Sequence, residues 1–246
     1  MIQFRNVSKS YDAGNTFVVK DLSLEIRGGE TLVLLGSSGS GKTTLLKMIL
    51  RLIEPTSGSI FFKQRNIVEY PIVKLRRSIG YVLQKANLFP HMSIEDNIAI
   101  VLRLKGVPLK ERRARAHELL RLIDLDPASY AKRFPAELSG GQEQRVGVAR
   151  ALATDPKCLL MDEPFASLDA INRQALQDEL LQLKAKIKKT IVFVTHDIQE
   201  ALKLGDRIAV LHEGHLQQIG TKEDLIKTPK TPFVERLVHS SLDLSQ

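Results

Sequence analysis

TLVLLGSSGSGKTTLLKMILRLI, residues 31–53, decides the fold. Its first five residues, Thr31 and four apolar ones, make too short a run for a helix and show no polar alternation, so they read as a strand buried on both faces of a parallel sheet. LLKMILRLI reads as a helix. Between them Gly36, Gly41, Lys42 and Thr43 fit the pattern G-x-x-x-x-G-K-[ST], in the strand-loop-helix setting that pattern requires. The spacing has a physical reason. Small residues Gly36, Ser37, Ser38, Gly39, Ser40 and Gly41 let consecutive backbone N–H groups turn inward on a polyphosphate, and the helix start adds its partial positive charge. Lys42 then reaches the β and γ phosphates, the Thr43 hydroxyl ligates Mg²⁺, and Thr44 completes the cradle. The alternative is a plain glycine turn.

Three more short apolar runs repeat the strand signature: IGYVL (79–83), CLLM (158–161) and TIVFV (190–194). They are followed by Gln84, by Asp162 and Glu163, and by Thr195 and His196. Ligands of open α/β sheets bind beyond the carboxyl ends of strands, so these groups are expected to converge with the glycine-rich loop on one site. Asp162 is placed to hold Mg²⁺, and the adjacent Glu163 points differently and could polarise an attacking water. Two neighbouring carboxylates leaving a buried strand are costly without a cation; the competing reading is an acidic strand cap completed by Pro164. His196 reads either as a hydrogen-bonded edge residue or as a γ-phosphate contact that orients the water. Gln84 alone would be a capping group, and it enters the site only through its company. Tyr11 is either core or the platform on which an adenine stacks.

Around this frame, IQFRNVSKSY, TFVVKDLSLEI and GSIFF (58–62) suggest antiparallel strands on one side. From Gln84 to Asp162 the texture turns helical: SIEDNIAIVLRLKG, then PLKERRARAHELLRLIDL, then a helix begun at Ser139. Ala116, Leu119, Leu120 and Ile123 share one face of the basic helix, whose arginines read as a solvated face or a partner surface. Residues 171–187 carry Leu176, Leu180, Leu183 and Ile187 at helical spacing; a helix at 198–204, strands DRIAVL and HLQQI, and helices begun by Thr221 and Pro232 follow. The division expected is one α/β domain over 1–246: core and antiparallel strands in 1–85 and 156–246, and a helical subdomain over about 86–155. Apolar residues make up 43% of the 246, ordinary for a globular chain, and no run of 18 apolar residues or secretory leader is seen. The lone Cys158 sits in an apolar run, as a buried thiol would. A formal charge of +8 suits an anionic partner, but aromatics at 5% and no Trp leave few platforms for single-stranded nucleic acid.

A second small-residue loop, LSGGQEQRV (138–146), heads another helix. Ser139 can cap that helix, and Gly140 and Gly141 expose N–H groups at its positive end: a simple cap, or a second anion site. The helical insertion sets Ser139 away from the chain's own glycine-rich loop, so the second site calls for a phosphate from elsewhere.

Together these residues resemble the ATP-binding cassette ATPases, the motor subunits of ABC transporters. GSSGSGKTT is similar to their Walker A, CLLMDEP to Walker B, LSGGQ to the family signature, Gln84 to the Q-loop, Ser167-Leu168-Asp169 to the D-loop, His196 to the H-loop and Tyr11 to the A-loop. The resemblance implies a P-loop cassette with a RecA-like parallel core, ATP and Mg²⁺ as ligands, Glu163 as base, and Thr43, Gln84 and Asp162 around the metal. It also implies head-to-tail pairs in which Ser139, Gly140, Gly141 and Gln142 of one copy act on the ATP of the other. RLIEPTSGSI, LFPHMSIEDNI, KTIVFVTHDIQEAL and GTKEDLIKTP further resemble bacterial importers of quaternary-amine osmoprotectants such as glycine betaine, choline or carnitine. Transmembrane permease subunits, an extracytoplasmic solute-binding protein and a peripheral place on the cytoplasmic face of the membrane are then expected. Many such ATPases add C-terminal CBS domains; with the chain ending at SSLDLSQ, none is expected. An importer for another solute such as an amino acid remains open. So does a soluble cassette acting on DNA or the ribosome, although the paired cassettes or coiled-coil insertions of such members are not seen and nucleic acid is not an expected partner.

Overall fold

The computed structural model describes residues 1–166 and 169–242. In chain order the strands are β1 (Ile2–Ser10), β2 (Phe17–Ile26), β3 (Thr31–Leu35), β4 (Ser57–Phe62), β5 (Arg65–Asn66), β6 (Ile79–Val82), β7 (Cys158–Asp162), β8 (Thr190–Thr195), β9 (Arg207–His212) and β10 (His215–Gly220). The helices are α1 (Lys42–Ile49), α2 (Ile72–Arg77), α3 (Ile94–Leu104), α4 (Leu109–Leu122), α5 (Pro127–Tyr130), α6 (Gly140–Leu152), α7 (Ala170–Ile187), α8 (Ile198–Leu204), α9 (Lys222–Lys227) and α10 (Pro232–Leu242). They gather into two compact units, one of Met1–Leu75 with the chain from Thr190 on, the other of Arg76–Lys189. The helices expected over 86–155 all lie in the second.

In the first unit β3 runs parallel to β8 on one side and to β9 on the other, and β10 closes antiparallel on β9. All five residues of β3 and all six of β8 are buried, which is why neither shows polar alternation. The antiparallel sheet β2-β1-β4-β5 does alternate, with a phase slip. Ile2 and Phe4 are buried, then Val7; Val19 is buried, then Leu22. The slips sit at bulges where Asn6 and Asp21 take positive φ of 48° and 41°, and the two are joined by an Asn6 Nδ2 to Asp21 Oδ1 hydrogen bond of 3.0 Å.

Helix α1 stops earlier than the apolar run through Ile53 suggests. Arg51 takes φ 49°, its N–H donates to Met48 O at 2.9 Å, and the N–H of Leu52 donates to Lys47 O at 2.9 Å, a Schellman close. The arginine in this left-handed position has its guanidinium anchored on the carbonyls of Ile67, Val68 and Tyr70 at 3.2–3.3 Å.

In the second unit β6 and β7 pair in parallel, Ile79 opposite Cys158 and Val82 opposite Met161. Helices α3, α4 and α6 form a bundle around Ile94, Ile98, Leu102, Leu119, Leu120 and Val146, all buried. Ser93 caps α3 through an Oγ that accepts from the N–H of Asp96. The buried Glu95 carboxylate ties three segments together, with Lys132 Nζ at 2.5 Å, His117 Nε2 at 3.1 Å and Arg113 Nε at 3.4 Å. The arginines of α4 are thus partly paired: Arg115 also meets Glu118 at 2.8 Å. Cys158 is buried, and desolvation pushes its thiol up to about 12. Among the described residues no helix is long and apolar enough to cross a membrane.

Candidate functional site

The glycine-rich loop in the first unit is built around its lysine. Lys42 is only 4% exposed, and its Nζ donates to Gly36 O at 2.7 Å and Ser37 O at 2.8 Å, so the cation braces the loop from inside. Ser37, Ser38 and Gly39 stand exposed at the rim, Ser40 and Gly41 are buried, and Thr43 and Thr44 are half-buried on the first turn of α1. That turn carries no acidic residue to oppose an anion. Two glycines are sterically required. A Cβ on Gly36 would lie 2.2 Å from Leu211 O; one on Gly41, already at φ 97°, would lie 2.7 Å from Val18 O. The loop is therefore clasped between the end of β9 and the start of β2.

His196 leaves the sheet beside this loop. Leu35 is opposite Thr195 across the parallel β3–β8 pair, so Gly36 and His196 emerge at the same level on adjacent strands. Both neighbours of the histidine are fixed: Thr195 Oγ1 donates to Glu200 Oε2 at 2.6 Å, and Asp197 caps α8 by accepting from the N–H of Gln199 at 2.7 Å. His196 itself is exposed. Tyr11 is 60% exposed with Lys9 Nζ 5.1 Å from its ring centroid, so of the two readings open for it the core one is excluded. It stands on a tight turn where Asp12 accepts from Thr16 and Ser10. Those hydrogen bonds, led by the Thr16 hydroxyl, hold the Asp12 carboxyl at about 2.

In the second unit Gln84 and Glu163 likewise leave adjacent parallel strands at one level, because Val82 faces Met161. Gln84 is exposed, whereas Asp162 is 9% exposed and accepts a 3.1 Å hydrogen bond from Tyr81 Oη. Burial, and then the Asp162 charge, drive the Tyr81 phenol well above its ordinary range, so it remains a donor to the carboxylate. Glu163 has φ 44°. A left-handed glutamate is a strained conformation, and it stands at the turn in which Glu163 O accepts from the N–H of Ala166 at 3.1 Å. Of the Ser167-Leu168-Asp169 stretch, Ser167 and Leu168 lie outside the described residues.

Ser139 is the N-cap of α6. Its Oγ accepts from the N–H of Gln142 at 3.3 Å, Gln142 Oε1 accepts from the N–H of Ser139 at 3.0 Å, and Gln142 Nε2 reaches Tyr130 Oη at 3.1 Å. Ser139 and Gly140 are exposed and Gly141 is half-buried, with open room: the nearest atom to a Cβ there would be a Leu176 methyl at 3.5 Å.

Sequence reasoning passed over Tyr81, Gln144 and Arg150. Tyr81 was hidden inside an apolar run. Gln144 Nε2 donates to Leu83 O at 3.1 Å; Arg150 donates to Asn87 O at 3.0 Å and, more closely, to Ala86 O. Their signal was the spacing Gln144, Gly147, Arg150, three residues apart on one helix face. Beside them the second unit has a groove of about 440 Å³ lined by Tyr81, Leu83, Ile100 and Val101. Phe89 and Leu104, 41% and 66% exposed, and the cations Arg76, Arg77 and Arg150 also line it.

Comparison with known proteins agrees with this geometry. The chain is 50% identical to the choline transport ATP-binding protein OpuBA of Bacillus subtilis over 97% of its own length and 62% of that protein's. It is 49% identical to the glycine betaine/carnitine/choline transport ATP-binding protein OpuCA of the same organism over 100% of its own length and 66% of that protein's. It thus spans a little under two thirds of the relatives it matches. An ATP-binding cassette solved as a dimer in a post-hydrolysis state bound to ADP and Pi superposes with a TM-score of 0.78 at 35% identity, covering 90% of this chain and 99% of that one. The profile of the ABC transporter family matches residues 19–166, more than half of the chain, and with its glycine-rich loop, its Asp162-Glu163 pair and its Ser139-capped helix the chain belongs to that family.

Proposed function

We propose that this chain binds and hydrolyses ATP as one of a head-to-tail pair, and so powers import of a small quaternary-amine osmoprotectant through a membrane permease. The observation that carries the substrate class is the half-identity, over nearly all of this chain, to subunits named for choline, glycine betaine and carnitine transport. Support for hydrolysis comes from the loop geometry: Lys42, pre-formed against loop carbonyls, can exchange these for phosphate oxygens without moving its stem.

In this reading Tyr11 stacks on the adenine, residues 36–44 cradle the phosphates, and His196 holds the γ-phosphate and the attacking water. Glu163 accepts the water's proton as general base. Among the described residues no group of three or more His, Cys, Asp or Glu forms a ready metal cage. The donors assigned here, a hydroxyl of Thr43, an amide of Gln84 and a carboxylate of Asp162, fit Mg²⁺, which keeps waters and takes its other ligands from phosphates. When bound, the ion neutralises charge on the transferred phosphoryl oxygens. Ser139, Gly140, Gly141 and Gln142 serve the nucleotide of the partner copy. The permease presents a segment to the groove by Phe89 and Leu104, and the chain sits peripherally on the cytoplasmic face.

The test is to co-express the chain with its permease and solute-binding protein, reconstitute the complex, and measure ATP hydrolysis with glycine betaine, choline, carnitine and a panel of amino acids. At least one quaternary amine should raise turnover several-fold. Stimulation by an amino acid alone would show the substrate class to be wrong.

A further inference from the structure

Helix α6 grips the loop that follows β6 at three points on one face. Gln144, 4% exposed, donates to Leu83 O, and Arg150 forks onto the successive carbonyls of Ala86 and Asn87. Between these two, Gly147 packs directly on Ala86: a Cβ there would lie 3.2 Å from the alanine's own Cβ. The carbonyls are presented together because Asn87 turns left-handed at φ 46°, a conformation asparagine tolerates. Burial pulls the Arg150 guanidinium below its ordinary value, so the charge is partly withdrawn from water to make these bonds. Charge-assisted bonds to a planar fork are the strong and geometrically specific kind. The same helix carries the Ser139 cap at its other end, and Leu83, Asn87 and Arg150 all line the groove.

The geometry points to Arg150, with Gln144, as positioning residues that lock the Gln84 loop to the Ser139 helix, so that nucleotide engaged at Ser139 moves the loop and the groove as one body. This rests on the ATP-binding reading above but assigns a transmitter that none of the motif residues supplies. Neither side chain touches substrate.

Hydrogen exchange on the full chain, with and without a non-hydrolysable ATP analogue and Mg²⁺, tests it. In the parent, peptides over 36–44, α6 and 83–88 should all slow on adding the analogue. In Arg150→Ala, and in Arg150→Lys, which keeps the charge but cannot fork, α6 should still respond. Residues 83–88 should exchange about tenfold faster and lose their response. Gln144→Met should give the same direction at smaller size. A loop response that persists in both Arg150 variants overturns the lock, as does a parent in which 36–44 and α6 respond and 83–88 does not. Absence of protection at 36–44 in the parent would instead overturn the ATP-binding reading, and the lock with it. If Arg150→Ala does not fold, Arg150→Lys decides the matter alone.

Discussion

At the scale of single residues, Gly39, Gly41 and Glu163 of the candidate site take a positive φ that side chains ordinarily avoid. Gly41 is needed twice over, for its φ of 97° and for the carbonyl of Val18 behind it. Glu163 has no such excuse: a left-handed glutamate costs about 1–3 kcal/mol. Glu163→Gln preserves shape and backbone conformation and removes only the carboxylate proposed above as base. Its ATP turnover should fall at least about 100-fold while ATP is still bound, and a nucleotide-dependent dimer should persist by size-exclusion chromatography. Turnover at the parental rate would show that another group takes the proton.

At the scale of elements the sequence was most legible where burial is complete. TLVLL and TIVFV needed no alternation to be read, since both faces are covered. The end of α1 was not legible, because no glycine marks the Schellman close, and the side chain of the Arg51 that takes its place is held by carbonyls 16–19 residues away. The same holds for Glu95, which the pattern of α3 marks only as a polar residue in the first turn. Burial alone would raise its pKa, but hydrogen bonds from Lys132 and His117 outweigh this and lower it. A depressed carboxylate contributes stability above its unfolded value of 4.5 and loses it as pH falls through the lower native value. Glu95→Gln should therefore cost about 1–2 kcal/mol in urea unfolding at pH 7, discounted because Lys132 and Arg113 are solvent-exposed. The gap to the parent should close progressively below pH 4.5 and narrow in high salt. A gap independent of pH would mean that packing, not charge, is lost.

At the scale of the whole molecule, the residues proposed above to serve ATP are distributed over two units, with Lys42 and His196 in one and Asp162, Glu163 and Ser139 in the other. A second small-residue loop at the head of a helix, in a chain that needs one cradle, is accounted for by pairing, the arrangement proposed above. Mixing Lys42→Ala with Ser139→Arg tests it. Each variant alone has both composite sites broken, whereas a heterodimer leaves at most one intact, so the mixture should recover ATP hydrolysis that neither variant shows. Parental activity in each isolated variant, as a monomer by light scattering, would exclude pairing.

By itself the sequence determined the glycine loop, the buried strands, the capped helices and the order in which chemistry-bearing residues end those strands. These follow from local sterics and from periodicities of two and of three to four residues, which are properties of the chain alone. Tertiary structure decided the register that sets Gly36 beside His196 and Gln84 beside Glu163, since parallel pairing is made between strands far apart in sequence. It also decided that Lys42 braces its own loop, that Tyr81 binds Asp162, and that Arg150 holds the loop after β6. Each is a polar group whose partner is a backbone or carboxylate oxygen brought near only by folding, and an oxygen of that kind leaves no mark on the pattern of residue types.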